Sequence, residues 1–239
     1  MTNIVRHALG TVAVLACAMG VSAPAHAQFS ATICNDIQCT GGDDVLIQDN
    51  GAGDLIPATG AISFSTAAFG YSFLVNTSQS KPMVGGAAAP QLDLSFAATS
   101  SGAAVNVFLN ISDTGFTLAN GFAMLTLGGT NSGGSGTVTG RAWGGTSNTA
   151  LLFSGANLIS SLAGLTGPTF AGIATSALTP VVNPYSLTIG MQISRATAGT
   201  TSGNLNLEVS AIPEPSTWAT ILMGAALVGF VARRRRRGG

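Results

Sequence analysis

Ser186-Leu-Thr-Ile-Gly-Met-Gln-Ile-Ser194 alternates polar and apolar residues, with Leu187, Ile189, Met191 and Ile193 forming the apolar set. A period of two directs one set of side chains to the core face of a β-strand and the other set to solvent. Three further stretches show the same pattern, at 92–96, 105–111 and 205–209. The pattern predicts half-buried strands.

Shorter runs extend the strand prediction to 44–48, 61–66, 70–76, 114–119, 121–127, 135–142 and 149–154. Turn-forming pairs such as Asn50-Gly51 and Asn120-Gly121 separate these runs. This spacing predicts an all-β fold for residues 28–211, an antiparallel β-sandwich of the jelly-roll type. Residues 155–184 show no clear period, which predicts a loop or an irregular edge there.

Charge is scarce and unevenly placed along the chain. Of 239 residues, 46% are hydrophobic and 8% are charged, and the net charge is zero. Arg6 and the cluster Arg233–Arg237 hold most of the basic residues, so the segment between them has a net negative charge. A nucleic-acid binder requires the opposite sign, so we expect no nucleic-acid partner.

The amino terminus has the form of a secretory signal peptide. Arg6 precedes an apolar run at 8–21, and Ala25-His26-Ala27 supplies the small residues that signal peptidase recognises. We therefore expect residues 1–27 to be removed by cleavage after Ala27. A lipoprotein signal centred on Cys17 is disfavoured, because that cysteine lies in the middle of the apolar run.

The carboxyl terminus combines three elements. Pro213-Glu214-Pro215 keeps the backbone extended and free of sheet pairing, which makes it accessible to a protease. Trp218 and Ala219 introduce an apolar stretch that runs to 232; these roughly fifteen residues form a helix about 22 Å long, against about 30 Å of hydrocarbon. The five arginines Arg233, Arg234, Arg235, Arg236 and Arg237 follow as a stop-transfer signal. Residues 212–239 thus predict a short, transient anchor in the inner membrane.

This tail resembles the PEP-CTERM sorting signal in its Pro-Glu-Pro-x-x-Trp-Ala form. The matching residues are Pro213, Glu214, Pro215, Trp218 and Ala219. The resemblance implies that exosortase, a membrane cysteine protease-transpeptidase that recognises the Pro-Glu-Pro element, processes the chain. It also implies a Gram-negative host that makes exopolysaccharide. The alternative is an ordinary single-span anchor with a proline-rich linker.

Two cysteines remain after removal of the leader. Cys34 and Cys39 are close in sequence and the chain is expected to be exported, so we predict a local disulfide between them. Metal or redox chemistry would need a histidine partner or a closer spacing, and both histidines, His7 and His26, lie in the leader.

Acidic residues crowd the segment that follows. Asp43, Asp44, Asp49 and Asp54 lie among glycine-rich turns, where carboxylate oxygens suit a weak extracellular calcium site. Aspartate before glycine is also an ordinary turn former, so an acidic, solvated edge is the alternative. Apart from this possible calcium ion, we expect no cofactor.

Trp143, next to Arg141 in a glycine-rich stretch, is a candidate sugar-stacking platform. Such a platform requires an exposed indole face. A partly buried core tryptophan is the alternative interpretation.

The sequence contains little catalytic machinery. With no histidine after the leader and no Gly-x-Ser-x-Gly elbow, only a carboxylate pair such as Asp93 and Asp113 is left for glycan hydrolysis. The pattern places Asp93 on the outward face of a strand and Asp113 in the turn Asp113-Thr114-Gly115, which are both ordinary structural roles. We therefore expect no catalytic residues and no enzymatic activity.

Three hypotheses for the function follow. The leading one is an exported, exosortase-processed protein with a structural or adhesive role in exopolysaccharide or biofilm at the cell surface or in the extracellular matrix. The second is a carbohydrate-binding module assisted by calcium. The third is a carboxylate-dependent enzyme acting on glycans.

Overall fold

A computed structural model describes residues 28–102, 105–118, 120–145, 147–151, 153, 157–178, 183–212 and 220–228. The predicted signal peptide lies outside these ranges. The described residues form twelve strands: β1 (Ser30–Cys34), β2 (Val45–Gln48), β3 (Ala61–Ala68), β4 (Tyr71–Gln79), β5 (Gln91–Ser100), β6 (Asn106–Phe116), β7 (Gly121–Ser132), β8 (Gly136–Gly144), β9 (Leu158–Thr166), β10 (Thr169–Leu178), β11 (Tyr185–Arg195) and β12 (Gly199–Ala211).

The strands build two six-stranded antiparallel sheets. The first sheet has the order β2-β1-β6-β11-β8-β9, and the second has the order β10-β7-β12-β5-β4-β3. The predicted antiparallel β-sandwich is therefore confirmed. From β5 to β12 the strands pair in a nested way, with β5 on β12, β6 on β11, β7 on β10 and β8 on β9.

The core lies between the sheets and is built from the alternating positions. On β11, Leu187, Ile189, Met191 and Ile193 are at most 1% exposed. They belong to one cluster with the inward residues of β5, β7 and β12, among them Leu94, Leu127 and Leu205. The period-two pattern that predicted these strands therefore also selected the core.

The two sheets differ on their outer faces. On the first sheet, Asn110 and Trp143 are only 1% and 3% exposed, because the segment at 34–40 covers Asn110 and Phe153 packs on Trp143. On the second sheet, Phe122 and Ile173 are 55% and 70% exposed. Strands β1, β6 and β11 of the first sheet are thus covered on both sides, whereas the second sheet presents one face to solvent.

The prediction of an irregular segment at 155–184 is wrong, because β9 and β10 lie within it. Small residues hide the alternation there. Gly172 and Ala174 occupy inward positions of β10, while the apolar Ile173 points outward. Such a strand carries no periodic hydrophobic signal.

Three further differences concern strand limits. The stretch 114–119 is not a separate strand, because β6 continues through Phe116. Within 149–154, the residues that the structure describes are not in a strand. The fully buried β1 was missed, since its alternation of Ser30 and Thr32 with Ala31 and Ile33 extends over a strand of only 5 residues.

The buried hydroxyl of Tyr185 makes the stability of the domain sensitive to alkaline pH. Its hydroxyl is buried without a hydrogen-bond partner among the described residues, and burial raises its pKa from 10 to about 12. Because the unfolded chain loses this proton first, the free energy of unfolding falls as the pH rises from 10 to about 12, by up to about 1.4 kcal/mol per unit. We expect Tyr185→Phe to remove that slope and to leave stability at pH 7 equal or higher. Urea titrations at several pH values measure both effects, and equal alkaline slopes in the two proteins would contradict the prediction.

Candidate functional site

The carboxyl-terminal tail leaves the sandwich at the end of a central strand. The register of β12 ends with Ala211 opposite Gly121 of β7, and Ile212 is already 42% exposed. Residues 213–219, which include the predicted processing residues Pro213, Glu214, Pro215, Trp218 and Ala219, lie outside the described residues, as do Arg233–Arg237. The tail therefore begins where the last ladder of the second sheet ends.

Residues 220–228 form a helix whose side chains are all exposed. Ile221, Leu222, Met223, Leu227 and Val228 are between 56% and 71% exposed, so the helix buries no apolar face against the sandwich. Among the described residues, no helix has the length and apolarity needed to cross a membrane. The predicted membrane span extended to residue 232, and its last four residues lie outside the described part.

The predicted disulfide is present between Cys34 and Cys39, whose Cα atoms are 5.2 Å apart. Asn110 Nδ2 donates to Cys39 Sγ at 3.4 Å and to Thr32 Oγ1 at 3.4 Å. The small disulfide loop is thereby held against β1 and β6, on the outer face of the first sheet.

The acidic residues proposed for calcium shape turns. Asp54 accepts hydrogen bonds from the backbone amides of Asn50, Ile56 and Ser63 at 2.9–3.1 Å, and Asp49 accepts one from Gly60 at 2.8 Å. Burial, followed by the nearby charges of Asp54 and Asp113, raises the pKa of Asp49.

Asp43 and Asp44 lie on a separate turn near Asp36. Burial raises the pKa of Asp44, and the charges of Asp36 and Asp43 raise it further. Within the ranges described, no group of three or more acidic, cysteine or histidine side chains is placed to hold a metal ion. The calcium site stays a prediction.

Trp143 does not offer the exposed face that sugar stacking requires. Its side chain is 3% exposed, and its ring meets Phe153 edge to face at a centroid distance of 5.4 Å. The stacking hypothesis is therefore wrong for the structure described, and the alternative, a buried tryptophan, is what the sandwich contains. The adjacent Arg141 is half-buried, and burial lowers its pKa.

The two carboxylates considered for hydrolysis have different partners. Asp93, on the outer face of β5, accepts a hydrogen bond from Asn204 Nδ2 at 2.7 Å. Asp113 is fully buried in β6, not in the turn that the sequence suggested. Its Oδ2 accepts hydrogen bonds from Ser80 Oγ at 2.6 Å and Lys81 Nζ at 2.8 Å.

Sequence reasoning missed two buried polar centres. One is the Lys81–Asp113 pair, the only ion pair among the described residues. The other is Arg195, which is 1% exposed and donates to Asn131, Thr201 and three backbone carbonyls. The sequence offered one signal for the first of these centres, since Lys81 is the only lysine of the chain.

The fold and the tail together define a class, a two-sheet β-sandwich whose last strand runs into an exposed apolar helix. Residues 211–237 match the family model of the PEP-CTERM protein-sorting motif. The resemblance seen in the sequence is thereby confirmed, and the chain carries the tail of an exosortase-targeted, exported surface protein with a membrane-anchoring sorting signal. A search of curated proteins found no match.

Proposed function

We propose that the sandwich is a structural or adhesive component of the exopolysaccharide or biofilm matrix, released from its inner-membrane anchor by exosortase. The observation that carries the proposal is the position of the sorting motif, whose match begins at the final residue of β12. Signal peptidase would first remove residues 1–27. Exosortase would then act at the Pro-Glu-Pro element, within residues 213–215.

The sandwich does not depend on the tail for its packing. All twelve strands end by Ala211, and every residue of the helix at 220–228 is exposed. Removal of the tail therefore leaves every strand pair intact. A domain that is complete without its anchor is suited to release at the cell surface.

The exposed face of the second sheet supports a role among polysaccharides. Apart from the exposed Leu74, Phe122, Met124 and Ile173, its side chains are mostly hydroxyls and amides. Several of these bond to each other across strands, such as Thr99 to Thr200 at 2.9 Å and Thr130 to Ser202 at 3.1 Å. Few charges interrupt this face. Hydroxyl and amide groups match the hydrogen-bonding groups of sugars, so the face suits many weak contacts with a glycan matrix.

The nested pairing of β5 to β12 favours the jelly-roll type within the sandwich class. These eight strands pair like one long hairpin rolled up, so that four lie in each sheet. Lectin domains are among the proteins with jelly-roll folds, but this similarity concerns the fold and not a binding site.

Processing gives a test with a large effect. We expect loss of the segment after the Pro-Glu-Pro element in a host with exosortase, and an intact tail in the same host without it. Glu214→Ala should block the cut, because it removes the only charged side chain of the recognised element. Intact mass and cell fractionation of the epitope-tagged chain measure both outcomes.

Thr217→Ala is the matched control, since the motif leaves that position free. It should be processed like the wild-type chain. A full-length, arginine-tailed chain as the sole cellular form in the presence of exosortase would overturn the processing step, and a processed chain absent from the matrix fraction would overturn the matrix role.

The other hypotheses stay predictions. A carbohydrate-binding module would have to use loop aromatics other than Trp143, with or without calcium at the Asp43–Asp54 segment. For a carboxylate-dependent glycan-active enzyme, Asp93 and Asp113 would have to leave their present partners. We propose no catalytic role for the domain.

A further inference from the structure

The amine of Lys81 and the carboxylate of Asp113 are in direct contact, and both are largely shielded from water. Lys81 Nζ lies 2.8 Å from Asp113 Oδ2, with the lysine side chain 15% exposed and the aspartate side chain fully buried. The ring of Phe116 covers the amine, with its centroid 4.0 Å from Nζ. Lys81 Nζ also donates to the carbonyl oxygen of Thr114, which fixes the direction of the amine.

We propose that Lys81 and Asp113 condense to an intramolecular isopeptide bond in the folded domain. One proton passes from the ammonium to Oδ2, which leaves a neutral amine facing a neutral carboxylic acid. Nζ then attacks Cγ, the Nζ–Cγ bond forms, the Cγ–Oδ2 bond breaks, and Oδ2 leaves as water with a second proton from Nζ. The products are an amide and one water molecule, so no oxidant or other co-reactant is needed.

The neighbours of Asp113 are placed to assist this step, with different groups bound to its two oxygens. The backbone amide of Thr114 donates to Oδ1 at 2.7 Å, so it is positioned to stabilise the negative charge that Oδ1 gains when Nζ attacks. The hydroxyl of Ser80 donates to Oδ2 at 2.6 Å, the oxygen that leaves. Because the fold holds the amine next to the carboxyl group, the reaction needs no chance encounter of the two groups.

Burial supplies the driving force for the reaction. Keeping an ammonium and a carboxylate away from water is costly, and a buried ion pair repays that cost only in part. The amide carries no charge, so its formation relieves the cost for both groups. The water that is released passes from a buried site to bulk solvent.

The bond would tie the two sheets together at one end of the sandwich. Lys81 lies in the connection between β4 and β5, which belong to the second sheet, whereas Asp113 lies on β6 of the first sheet. A covalent link here would help a surface protein to resist unfolding and proteolysis. The inference does not depend on the matrix role or on tail processing, because it concerns the covalent state of the domain alone.

Mass spectrometry of the exported chain, compared with the mass of its own sequence after signal-peptide removal, tests the proposal directly. After reduction of the disulfide, we expect the wild-type chain to be lighter than its sequence mass by one water molecule. Since Lys81 is the only lysine, amine acylation of the denatured chain should label the amino terminus alone. Proteolysis at Asp93, which lies between the two residues, should leave two segments joined through Lys81 and Asp113.

Two variants control the measurement. Lys81→Arg keeps a cation beside Asp113 but cannot form the amide, so its chain should have the full sequence mass. Asp93→Ala removes the neighbouring strand carboxylate and should still lose one water molecule. A folded wild-type chain with the full mass and two acylated amines would overturn the proposal, and so would a loss of water that persists in Lys81→Arg.

Discussion

Arg195→Met is expected to lower the free energy of unfolding by about 3 kcal/mol, because hydrogen bonds from a buried charged group are strong and their loss leaves buried acceptors unpaired. Arg195 is 1% exposed and has no carboxylate partner among the described residues. Its NH1 donates to Asn131 Oδ1 at 3.3 Å and to Thr201 Oγ1 at 3.0 Å. Its NH2 donates to the carbonyl oxygens of Ser132 at 2.9 Å and Gly134 at 3.4 Å.

These contacts explain why an arginine without a counter-ion is retained at the end of β11. The acceptors come from β7, β12 and the turn between β7 and β8, so one planar group joins three chain segments. Methionine fills similar space but donates nothing. Urea titration of wild-type and variant chains under the same conditions measures the loss.

Arg141→Met is the matched control for this prediction. Arg141 is half-buried and forms no hydrogen bond or ion pair with the described residues, and burial already lowers its pKa. We expect its replacement to change the free energy of unfolding by no more than about 0.5 kcal/mol. Equal losses for the two variants would show that the network around Arg195 contributes nothing specific.

Gly129→Ala is expected to be among the most disruptive small substitutions in the second sheet. Gly129 stands in a row across four strands, opposite Phe170 of β10 on one side and Gly203 of β12 on the other, with Phe96 of β5 beyond Gly203. A Cβ atom at Gly129 would lie 2.1 Å from the carbonyl oxygen of Ser202 and 2.7 Å from Cζ of Phe170.

The carbonyl belongs to the backbone of a central strand, so the clash cannot be relieved by a change of rotamer. Overpacking of cores usually costs about 1–3 kcal/mol, and we expect this substitution to reach about 3 kcal/mol because the β7–β12 ladder itself must shift. The free energy of unfolding from urea titration measures the effect. A loss of amide protection in β7 and β12 by hydrogen exchange would locate it.

Gly128→Ala is the matched control, because it makes the same replacement at the adjacent position, where there is space for the added Cβ atom. Around Gly128 the nearest atom to an added Cβ is the carbonyl oxygen of Phe170, at 3.8 Å, which is ordinary contact. Since alanine reduces the freedom of the unfolded chain, we expect no loss of stability and a gain of up to about 1 kcal/mol. Similar losses for both alanine variants would contradict the geometric argument.

Local pattern was sufficient where a long strand carries apolar side chains on one face and polar or small ones on the other, whether that second face is exposed, as in β12, or covered, as in β11. Residues 186–194 and 205–209 alternate strictly, and both stretches lie in central strands with the predicted inward set. The pattern is too short to be decisive at β1, it is broken by register shifts at β9, and it fails at β10, where Gly172 and Ala174 occupy inward positions. In these strands, packing against neighbours decides the structure.

The candidate sites divide in the same way. The disulfide and the sorting tail are recognisable from residues adjacent in sequence, and both were predicted. The burial of Trp143 was not predicted, because it depends on a ring contact with Phe153 that the sequence around Trp143 does not reveal. Asp113 appeared to be a turn residue, whereas its register in β6 places it inside the sandwich.

The sequence by itself determined the all-β class, the disulfide and the sorting tail, because these depend on period, spacing and short motifs. Only the tertiary structure decided which polar groups meet. Lys81 and Asp113 are 32 residues apart in sequence, and Arg195 and Asn131 are 64 apart. Such contacts arise from the order in which strands assemble into sheets, and that order is set by the packing of the whole core rather than by any local stretch.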